Sequence, residues 1–239
     1  MTAHHRFENR DHAGRLLATR LARHAHQPDA VVLALPRGGV PVAFAIARQL
    51  GIALDILIVR KLGMPRHEEF AMGAVGSGGV RVLSPDVPGL MGVSAQDVED
   101  VTARELAELS RREQAYRAGR APLDLHGRDA ILVDDGIATG STVLAAIEVA
   151  RRLQPRSLTL AVPVAPPDTV RKLAPRVDAL VCLATPAHFR SVGQWYDSFG
   201  QTGDAEVQDL LATAWQGPAA SPQPTRGPHH EDTDDGHQP

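Results

Sequence analysis

Residues 131–142 (ILVDDGIATGST) place two adjacent acidic residues between an apolar run and a glycine-rich segment. At the start of a helix, residues 138–142 would offer free backbone N–H groups and the positive end of the helix dipole, which favour a phosphate. The carboxylates of Asp134 and Asp135 repel a phosphate, so they need a different ligand group. The vicinal hydroxyls of a ribose suit them, as does Mg²⁺ bound directly or through water. The stretch therefore predicts a ribose 5-phosphate site.

The same stretch contains small residues that suit an anion. Gly136 and Gly140 let the backbone close around it, and the hydroxyls of Thr139, Ser141 and Thr142 can add donors. An ordinary capped turn between a strand and a helix is the simpler alternative, but the paired acids and the Gly-x-x-x-Gly spacing favour the phosphate site. A Walker-type nucleotide site is disfavoured because no Gly-Lys-Ser/Thr occurs. No Gly-x-Gly-x-x-Gly follows the first predicted strand, which disfavours a dinucleotide site.

Strands and helices alternate along the chain and must position these residues. Buried strands are predicted at 31–36, 54–59, 130–133, 158–164 and 178–184, and helices at 12–24, 40–50, 94–117, 140–153, 167–173 and 203–214. This order predicts an α/β fold, with a mostly parallel central sheet of about five strands and helices on both faces. Residues 64–120 leave the sheet as an insertion that holds a hairpin, turning at residues 77–79, and the long helix. Ligands of such sheets bind beyond the carboxyl ends of the strands, where the acidic pair lies.

The composition limits the partners and the number of domains. Hydrophobic residues make up 43% of the chain, enough for one core, and we expect a single domain over residues 1–215. A net charge of −3 without a dense basic stripe does not favour nucleic acid. No run is apolar enough for a signal or a membrane span, so we expect a cytoplasmic protein without a membrane partner. The lone Cys182 excludes an internal disulfide. Residues 216–239, rich in Pro, Gly and charge, are predicted to be disordered.

The segment VDDGIATGST resembles the phosphoribosyl pyrophosphate (PRPP) motif of the type I phosphoribosyltransferases: a strand, two acidic residues, a spacer, then Thr-Gly and small hydroxyl residues. By element order the resemblance extends over residues 12–215. It implies Mg²⁺-dependent transfer of the phosphoribosyl group of PRPP to a nitrogenous base, a purine among the candidates. It also implies a homodimer. The ribose hydroxyls are assigned to Asp134 and Asp135, and the 5-phosphate is assigned to Ala138, Thr139, Gly140, Ser141 and Thr142.

Two further segments match the family more weakly. In relatives the turn after the first strand, here residues 35–39, binds pyrophosphate through backbone amides and often contains a strained or cis peptide. Gly38 and Gly39 would permit close approach, and Arg37 could contact phosphate oxygens bidentately. A basic residue at the end of the second strand also helps to hold pyrophosphate in relatives. The resemblance therefore assigns pyrophosphate binding to Arg37 and Lys61. It also assigns a catalytic role to these two residues together with the acidic pair.

Lys61 is preferred to its neighbour Arg60 because side chains alternate along a strand, so the two point in different directions. Which of the two points inward stays open. Relatives also carry a catalytic lid in the 64–120 interval. Glu68, Glu69 and Phe70 are candidates for it, although ordinary surface positions explain them equally well.

A segment after the last strand contributes to a hood over the base in the family, here residues 185–202. This segment holds Phe189, Trp195, Tyr196 and Phe199, four of the nine aromatic residues of the chain. Trp195 and Tyr196 are predicted to stack on the base, and the alternative is that the rings anchor the segment to the core.

One position inside the motif departs from part of the family. Relatives that act on hypoxanthine or guanine carry an aspartate where this chain has Ala138, which cannot transfer a proton. The loop resembles the adenine type instead, so a 6-oxopurine acceptor is disfavoured. A non-catalytic PRPP- or nucleotide-binding regulatory protein of the same fold is the alternative to an enzyme. A hydrolase is disfavoured, because no residue presents itself as the base for a water.

Overall fold

The computed structural model describes residues 6–216 apart from residues 66, 85–91 and 118. Its strands are β1 (Ala30–Ala34), β2 (Ala53–Ile56), β3 (Val59–Met64), β4 (His67–Gly76), β5 (Val80–Leu83), β6 (Asp129–Val133), β7 (Ser157–Val164) and β8 (Ala179–Ala184). Its helices are α1 (Arg10–Arg20), α2 (Gly39–Leu50), α3 (Ala95–Arg117), α4 (Ser141–Arg152), α5 (Pro167–Leu173) and α6 (Asp204–Trp215). The predicted disordered tail lies, from residue 217 on, outside the described residues.

The central sheet consists of five parallel strands in the order β2-β1-β6-β7-β8. Ala34, the last residue of β1, lies opposite Ile56 of β2 and Val133 of β6. The carboxyl ends of these three strands therefore meet at one edge of the sheet, where ligands of parallel sheets bind. The predicted fold class is confirmed.

Helices cover both faces of this sheet because its strands are apolar on both sides. Along β1, Val32 and Ala34 pack into the layer that contains α1, α2 and α6. Val31 and Leu33 alternate with them and pack into the opposite layer, which contains α4. This double burial holds the carboxyl edge of β1 and β6 in a fixed position.

The chain changes sheets between β2 and β3. The prediction of one strand over residues 54–59 was wrong at its end, because β2 stops at Ile56 and Val59 opens a strand of a second, antiparallel sheet, β3-β4-β5. Ile58 bonds with Ser77 of that second unit: its N–H lies 3.0 Å from Ser77 Oγ, and its carbonyl accepts from Ser77 N at 2.9 Å. Residues 56–59 are all apolar, so no polar residue marks this change in the sequence.

The second sheet contains the predicted hairpin, which turns through residues 77–79. Gly78 and Gly79 have φ of 77° and 72° there, which favours glycine. The predicted lid residues Glu68, Glu69 and Phe70 belong to β4, and their side chains lie outside the described part of the chain.

Helix α3 packs its first half on the second sheet through Val98 and Val101. It begins with a capping pair, since Asp97 N donates to Ser94 Oγ at 3.1 Å and Ser94 N donates to Asp97 Oδ2 at 3.1 Å. The last part of α3 returns to the main core, where Leu109 and Tyr116 are buried.

The first helix differs most from its prediction. Helix α1 begins at Arg10, because the side chain of Asn9 caps it by accepting from His12 N at 2.9 Å. It ends at Arg20, and a short 3₁₀ segment (Ala22–His24) follows. The described helices include none that is both long and apolar enough to cross a membrane.

Candidate functional site

The predicted phosphate loop joins the end of β6 to the start of α4. Gly140 precedes α4 with φ of 77°, and a side chain there would come within 3.0 Å of Thr169 Cγ2. The side chains of Thr139, Ser141 and Thr142 are exposed at this helix start, as is Ala138. The loop therefore has the geometry that the sequence predicts for an anion at a helix N-terminus.

A residue from another helix supports this loop from behind. Thr169 of α5 is 8% exposed, and its hydroxyl donates to the carbonyl of Ala138 at 2.7 Å. The sequence contains no signal for this contact, because the two residues lie 31 positions apart.

Asp134 and Asp135 follow β6 directly and interact with each other. The Asp135 N–H donates to Asp134 Oδ1 at 2.9 Å. Burial raises the pKa of Asp134 well above its usual value, and the neighbouring charge of Asp135 raises it further. Burial also raises the pKa of Asp135, against the opposing effect of Arg10, which lies 2.8 Å from Asp135 Oδ2. Such a crowded acidic pair favours a cation or hydroxyl donors as ligands.

The predicted pyrophosphate turn lies against this acidic pair. Leu35 N donates to the carbonyl of Val133 at 2.9 Å, and the peptide between Pro36 and Arg37 is cis, as the resemblance implies. A Cβ on Gly38 would lie 2.1 Å from Asp135 Oδ2. A Cβ on Gly39 would lie 2.7 Å from the carbonyl of Val133. Both glycines are therefore needed so that the turn can touch the carboxyl end of β6.

Arg37 projects from this turn towards the start of α6. Its side chain is 42% exposed, and its Nη1 lies 3.6 Å from Asp204 Oδ1. The same carboxylate oxygen accepts from the hydroxyl of Tyr116 at 2.5 Å. Burial and this hydrogen bond raise the pKa of Tyr116 to about 12, so its hydroxyl stays protonated at neutral pH.

A cavity of about 240 Å³ opens beside Arg37. Its lining comes from residues 35–37 and 57–59, the C-terminal part of α3, Thr142 and Asp204. Arg111 and Arg112 of α3 belong to this lining. Both guanidinium groups bond to Glu108, with Arg111 Nε 2.8 Å from Oε2 and Arg112 Nε 2.8 Å from Oε1. Three arginines thus surround one cavity next to the phosphate loop, which suits a highly charged anion.

The sequence analysis did not identify Arg111 and Arg112. It predicted their helix, but it did not predict which face of that helix packs towards the site. Lys61 lies instead on β3, with an exposed side chain, and it lines neither of the two cavities described here. Its neighbour Arg60 pairs with Glu105 at 2.6 Å. The predicted place of Lys61 at the end of the second parallel strand was wrong, because β3 belongs to the other sheet.

The hood segment turns most of its aromatic rings inward. Trp195 and Tyr196 are 8% and 3% exposed, so the rings predicted to stack on a base are packed in the core instead. Tyr196 lies between Phe7 and Phe199, with ring centroids 5.4 Å and 4.9 Å away, and its hydroxyl donates to the carbonyl of Asp135 at 2.6 Å. The alternative role, that of an anchor, explains both positions better.

Phe199 is the aromatic residue of this segment that is left exposed, at 36%. It lines a second, more open cavity of about 370 Å³ together with Arg10, Gly38, Asp135 and Gln201. Arg37 lines both cavities, so they adjoin at the glycine turn. Asp135 therefore borders the second cavity, and the arginine-lined cavity adjoins that cavity at the glycine turn.

The acidic pair also fits a Mg²⁺ ion that is bound jointly by the protein and the substrate. Mg²⁺ is usually bound by one or two carboxylates, with phosphate oxygens and water completing the octahedron. Within the described residues no group of three or more His, Cys, Asp or Glu side chains could hold a metal by itself. Asp134 and Asp135 match the two-carboxylate arrangement.

Comparisons with known proteins agree with this geometry. The sequence matches the phosphoribosyl transferase domain over residues 6–189. Two proteins of Mycobacterium tuberculosis, named "Putative phosphoribosyl transferase Rv0571c" (strain H37Rv) and "Putative phosphoribosyl transferase MT0597" (strain CDC 1551), are each 50% identical over 208 residues, which make up 87% of this chain and 47% of theirs. The chain thus spans about half the length of these relatives.

A solved structure shares the fold at substantial sequence identity. The crystal structure of TT1426 from Thermus thermophilus superposes with a TM-score of 0.78 at 44% identity, covering 87% of this chain and 98% of that one. The family match covers more than half of the chain, and it includes the acidic pair, the phosphate loop and the glycine turn. The chain therefore belongs to the phosphoribosyl transferase domain family.

Proposed function

We propose that the protein transfers the 5-phosphoribosyl group of PRPP to a nitrogenous base and releases pyrophosphate, with Mg²⁺ as cofactor. The observation that carries this proposal is a convergence at one edge of the sheet. The phosphate loop, the acidic pair and the glycine turn contact one another there, and the arginine-lined cavity lies beside them. Each of these parts matches one portion of PRPP: the 5-phosphate, the ribose hydroxyls and the pyrophosphate.

The reaction would break the bond between C1 of the ribose and a pyrophosphate oxygen, and form a bond from C1 to a nitrogen of the acceptor. Positive charge develops on the ribose while negative charge gathers on the leaving group. Asp134 and Asp135 would hold the ribose hydroxyls and stabilise the positive charge. Arg37, Arg111 and Arg112 would stabilise the pyrophosphate in the cavity that they line.

Mg²⁺ would neutralise part of the pyrophosphate charge when bound, and Asp134 and Asp135 would hold it directly or through water. Positioning supplies most of the catalysis in such a reaction, because the protein forms no covalent bond with the substrate.

The acceptor would enter through the second cavity, which adjoins Asp135 and exposes the ring of Phe199. Phe199 already contacts Arg10 and Tyr196, so a heterocyclic base would lie at the exposed edge of this ring. The loop provides no carboxylate at Ala138, which favours an acceptor other than a 6-oxopurine.

The decisive test is PRPP-dependent nucleotide formation with Mg²⁺ across a panel of purine and pyrimidine bases, followed by chromatography and by pyrophosphate release. Asp135→Asn should abolish turnover. Asp168→Asn is the matched control, because Asp168 lies on the surface of α5 with its side chain 86% exposed. If PRPP binds but no base reacts, the transferase proposal fails and a PRPP-binding regulatory protein replaces it. If PRPP does not bind, both fail.

A further inference from the structure

Arg10, the first residue of α1, lies directly against the acidic pair although it is 125 positions away from Asp135 in the sequence. Its Nε and Nη2 are each 2.8 Å from Asp135 Oδ2. The two side chains are 13% and 14% exposed, so the pair is largely screened from water. An ion pair at this depth holds its geometry far better than a surface pair, because neither partner can be replaced by solvent without a cost.

The way in which Arg10 binds leaves one oxygen of Asp135 for a ligand. Both N–H groups go to Oδ2, and Gly38 approaches that same oxygen so closely that an added Cβ would lie 2.1 Å from it. Oδ2 is therefore enclosed by Arg10 on one side and by the glycine turn on another. Oδ1 is the oxygen of Asp135 that Arg10 does not contact.

The other end of the Arg10 guanidinium binds the hood segment (residues 185–202). Its Nη1 donates to the carbonyl of Gly200 at 2.7 Å, and its central carbon lies 3.9 Å from the ring centroid of Phe199. Phe199 stacks on Tyr196, whose hydroxyl donates to the Asp135 carbonyl. Arg10, Asp135, Tyr196 and Phe199 thus form a closed ring of contacts between the ribose end of the site and the acceptor cavity.

We propose that Arg10 is a positioning residue that fixes the Asp135 carboxylate with Oδ1 directed at a ribose hydroxyl of PRPP, and that couples this carboxylate to the hood segment. This inference rests on the proposed function, since it assumes PRPP as the ligand. A lysine could not replace Arg10 fully, because a single ammonium group cannot present the planar fork that reaches Asp135 and Gly200 together.

The role follows from the charge that surrounds Asp135. Asp134 lies next to it in the chain, and without Arg10 two crowded carboxylates would have no cation among the contacts described for them. Asp135 would then turn towards water and lose the orientation that serves the sugar. The loss should appear in PRPP binding and should depend on the charge at residue 135.

The test is a double-mutant cycle on PRPP affinity, measured by isothermal titration calorimetry with Mg²⁺ present. The variants are Arg10→Gln, Asp135→Asn and their combination. Arg10→Gln should weaken PRPP binding by about tenfold or more, because a charge-assisted pair that orients the ligand contact is lost. In the Asp135→Asn background the same change should add about twofold or less, since the positioned carboxylate is already gone.

Two further variants separate positioning from a general structural effect. Arg10→Lys keeps the charge without the fork, and its affinity should fall between those of wild type and Arg10→Gln. Arg15→Gln changes a surface arginine of the same helix, with its side chain 48% exposed, and should leave the affinity unchanged. Thermal unfolding of every variant identifies any that is unfolded at the assay temperature. If Arg10→Gln is one of these, Arg10→Lys takes its place in the cycle, and its loss of affinity should be larger in wild type than in the Asp135→Asn background.

Unchanged affinity in Arg10→Gln would overturn the inference, and so would a loss that is equally large with and without the Asp135 charge. Both results leave the proposed function intact, because wild type still binds PRPP. A wild-type protein that binds no PRPP would overturn the proposed function and this inference with it.

Discussion

The phosphate loop (residues 136–142) and the hood segment (residues 185–202) border the same site, but they are built in opposite ways. The loop is contiguous in sequence, and the groups proposed to bind phosphate are backbone amides at the start of α4 with exposed hydroxyls beside them. The hood segment holds Trp195 and Tyr196, which turn inward and anchor it. Its exposed ring, that of Phe199, is held by Arg10 from the opposite end of the chain.

This difference separates two kinds of binding surface. A loop that binds through its backbone needs only a local conformation, which glycines and helix-starting residues specify within a dozen positions. A surface made of side chains depends on which aromatic rings are buried in the core, and residues distant in sequence decide which rings are buried. The following substitutions test whether the phosphate loop and the hood segment also differ in their effects on activity, ligand affinity and stability.

Among these changes, the largest effect should come from Asp134→Asn. Loss of one ribose-binding carboxylate should lower kcat/KM by about a hundredfold or more, as for other electrostatic contacts to a transition state. In Mg²⁺-free buffer at pH 8, the free energy of unfolding of the same variant should be higher than that of wild type by about 1 kcal/mol, because a buried charge that is repelled by its neighbour is removed. Activity assays and urea denaturation measure the two effects.

The pH dependence of that gain has a definite sign. The pKa of Asp134 is raised in the folded state, so its ionisation destabilises the fold above that pKa, and the cost disappears as the pH falls towards the ordinary value of 3.8. The stability difference between Asp134→Asn and wild type should therefore shrink as the pH is lowered from 8 towards 4. A variant that is less stable than wild type at pH 8 would contradict this explanation.

The arginines of α3 should show the next largest effect. Replacing both Arg111 and Arg112 by Gln should raise the KM for PRPP by about tenfold, because two cations leave the cavity assigned to pyrophosphate. Lys61→Gln, measured in parallel, decides between the residue predicted from the sequence and those that line the cavity. Arg104→Gln is the control on the same helix, where the side chain is 64% exposed. A larger effect from Lys61 than from the arginine pair would reverse the assignment.

A moderate effect is expected from Thr169→Val, which removes the hydroxyl that supports the phosphate loop. The carbonyl of Ala138 would lose its partner at 2.7 Å, at a cost of about 1 kcal/mol in unfolding free energy. Affinity for PRPP should fall by about fivefold as the loop loosens. Thr169→Ser keeps the hydroxyl and should retain most of both. A loss in Thr169→Ser with none in Thr169→Val would show that the methyl group, and not the hydrogen bond, matters.

The smallest effect on the ligand should come from Tyr196→Phe in the hood segment. The variant loses a hydrogen bond to the carbonyl of Asp135, which should lower the free energy of unfolding by about 1 kcal/mol and Tm by about 2–4 °C. PRPP affinity should change by about twofold or less, because Arg10 still holds the Asp135 side chain. A loss of tenfold in PRPP affinity would place Tyr196 in the binding site itself and remove the contrast with the loop.

The sequence by itself determined the parallel sheet, the hairpin turn, the acidic pair and the phosphate loop. These features depend on local rules: apolar runs predict buried strands, and glycines mark positive φ or close approach. The glycine turn was found in the same way, and the structure adds its reason, since Gly38 and Gly39 touch the end of β6.

Only the tertiary structure decided which side chains surround that loop. It ended β2 at Ile56, moved Lys61 to another sheet, buried Trp195 and Tyr196, and brought in cations from α1 and α3. Each of these outcomes depends on which groups distant elements bury together. A contact between Arg10 and Asp135, 125 positions apart, has no local signature because packing alone brings the two residues together.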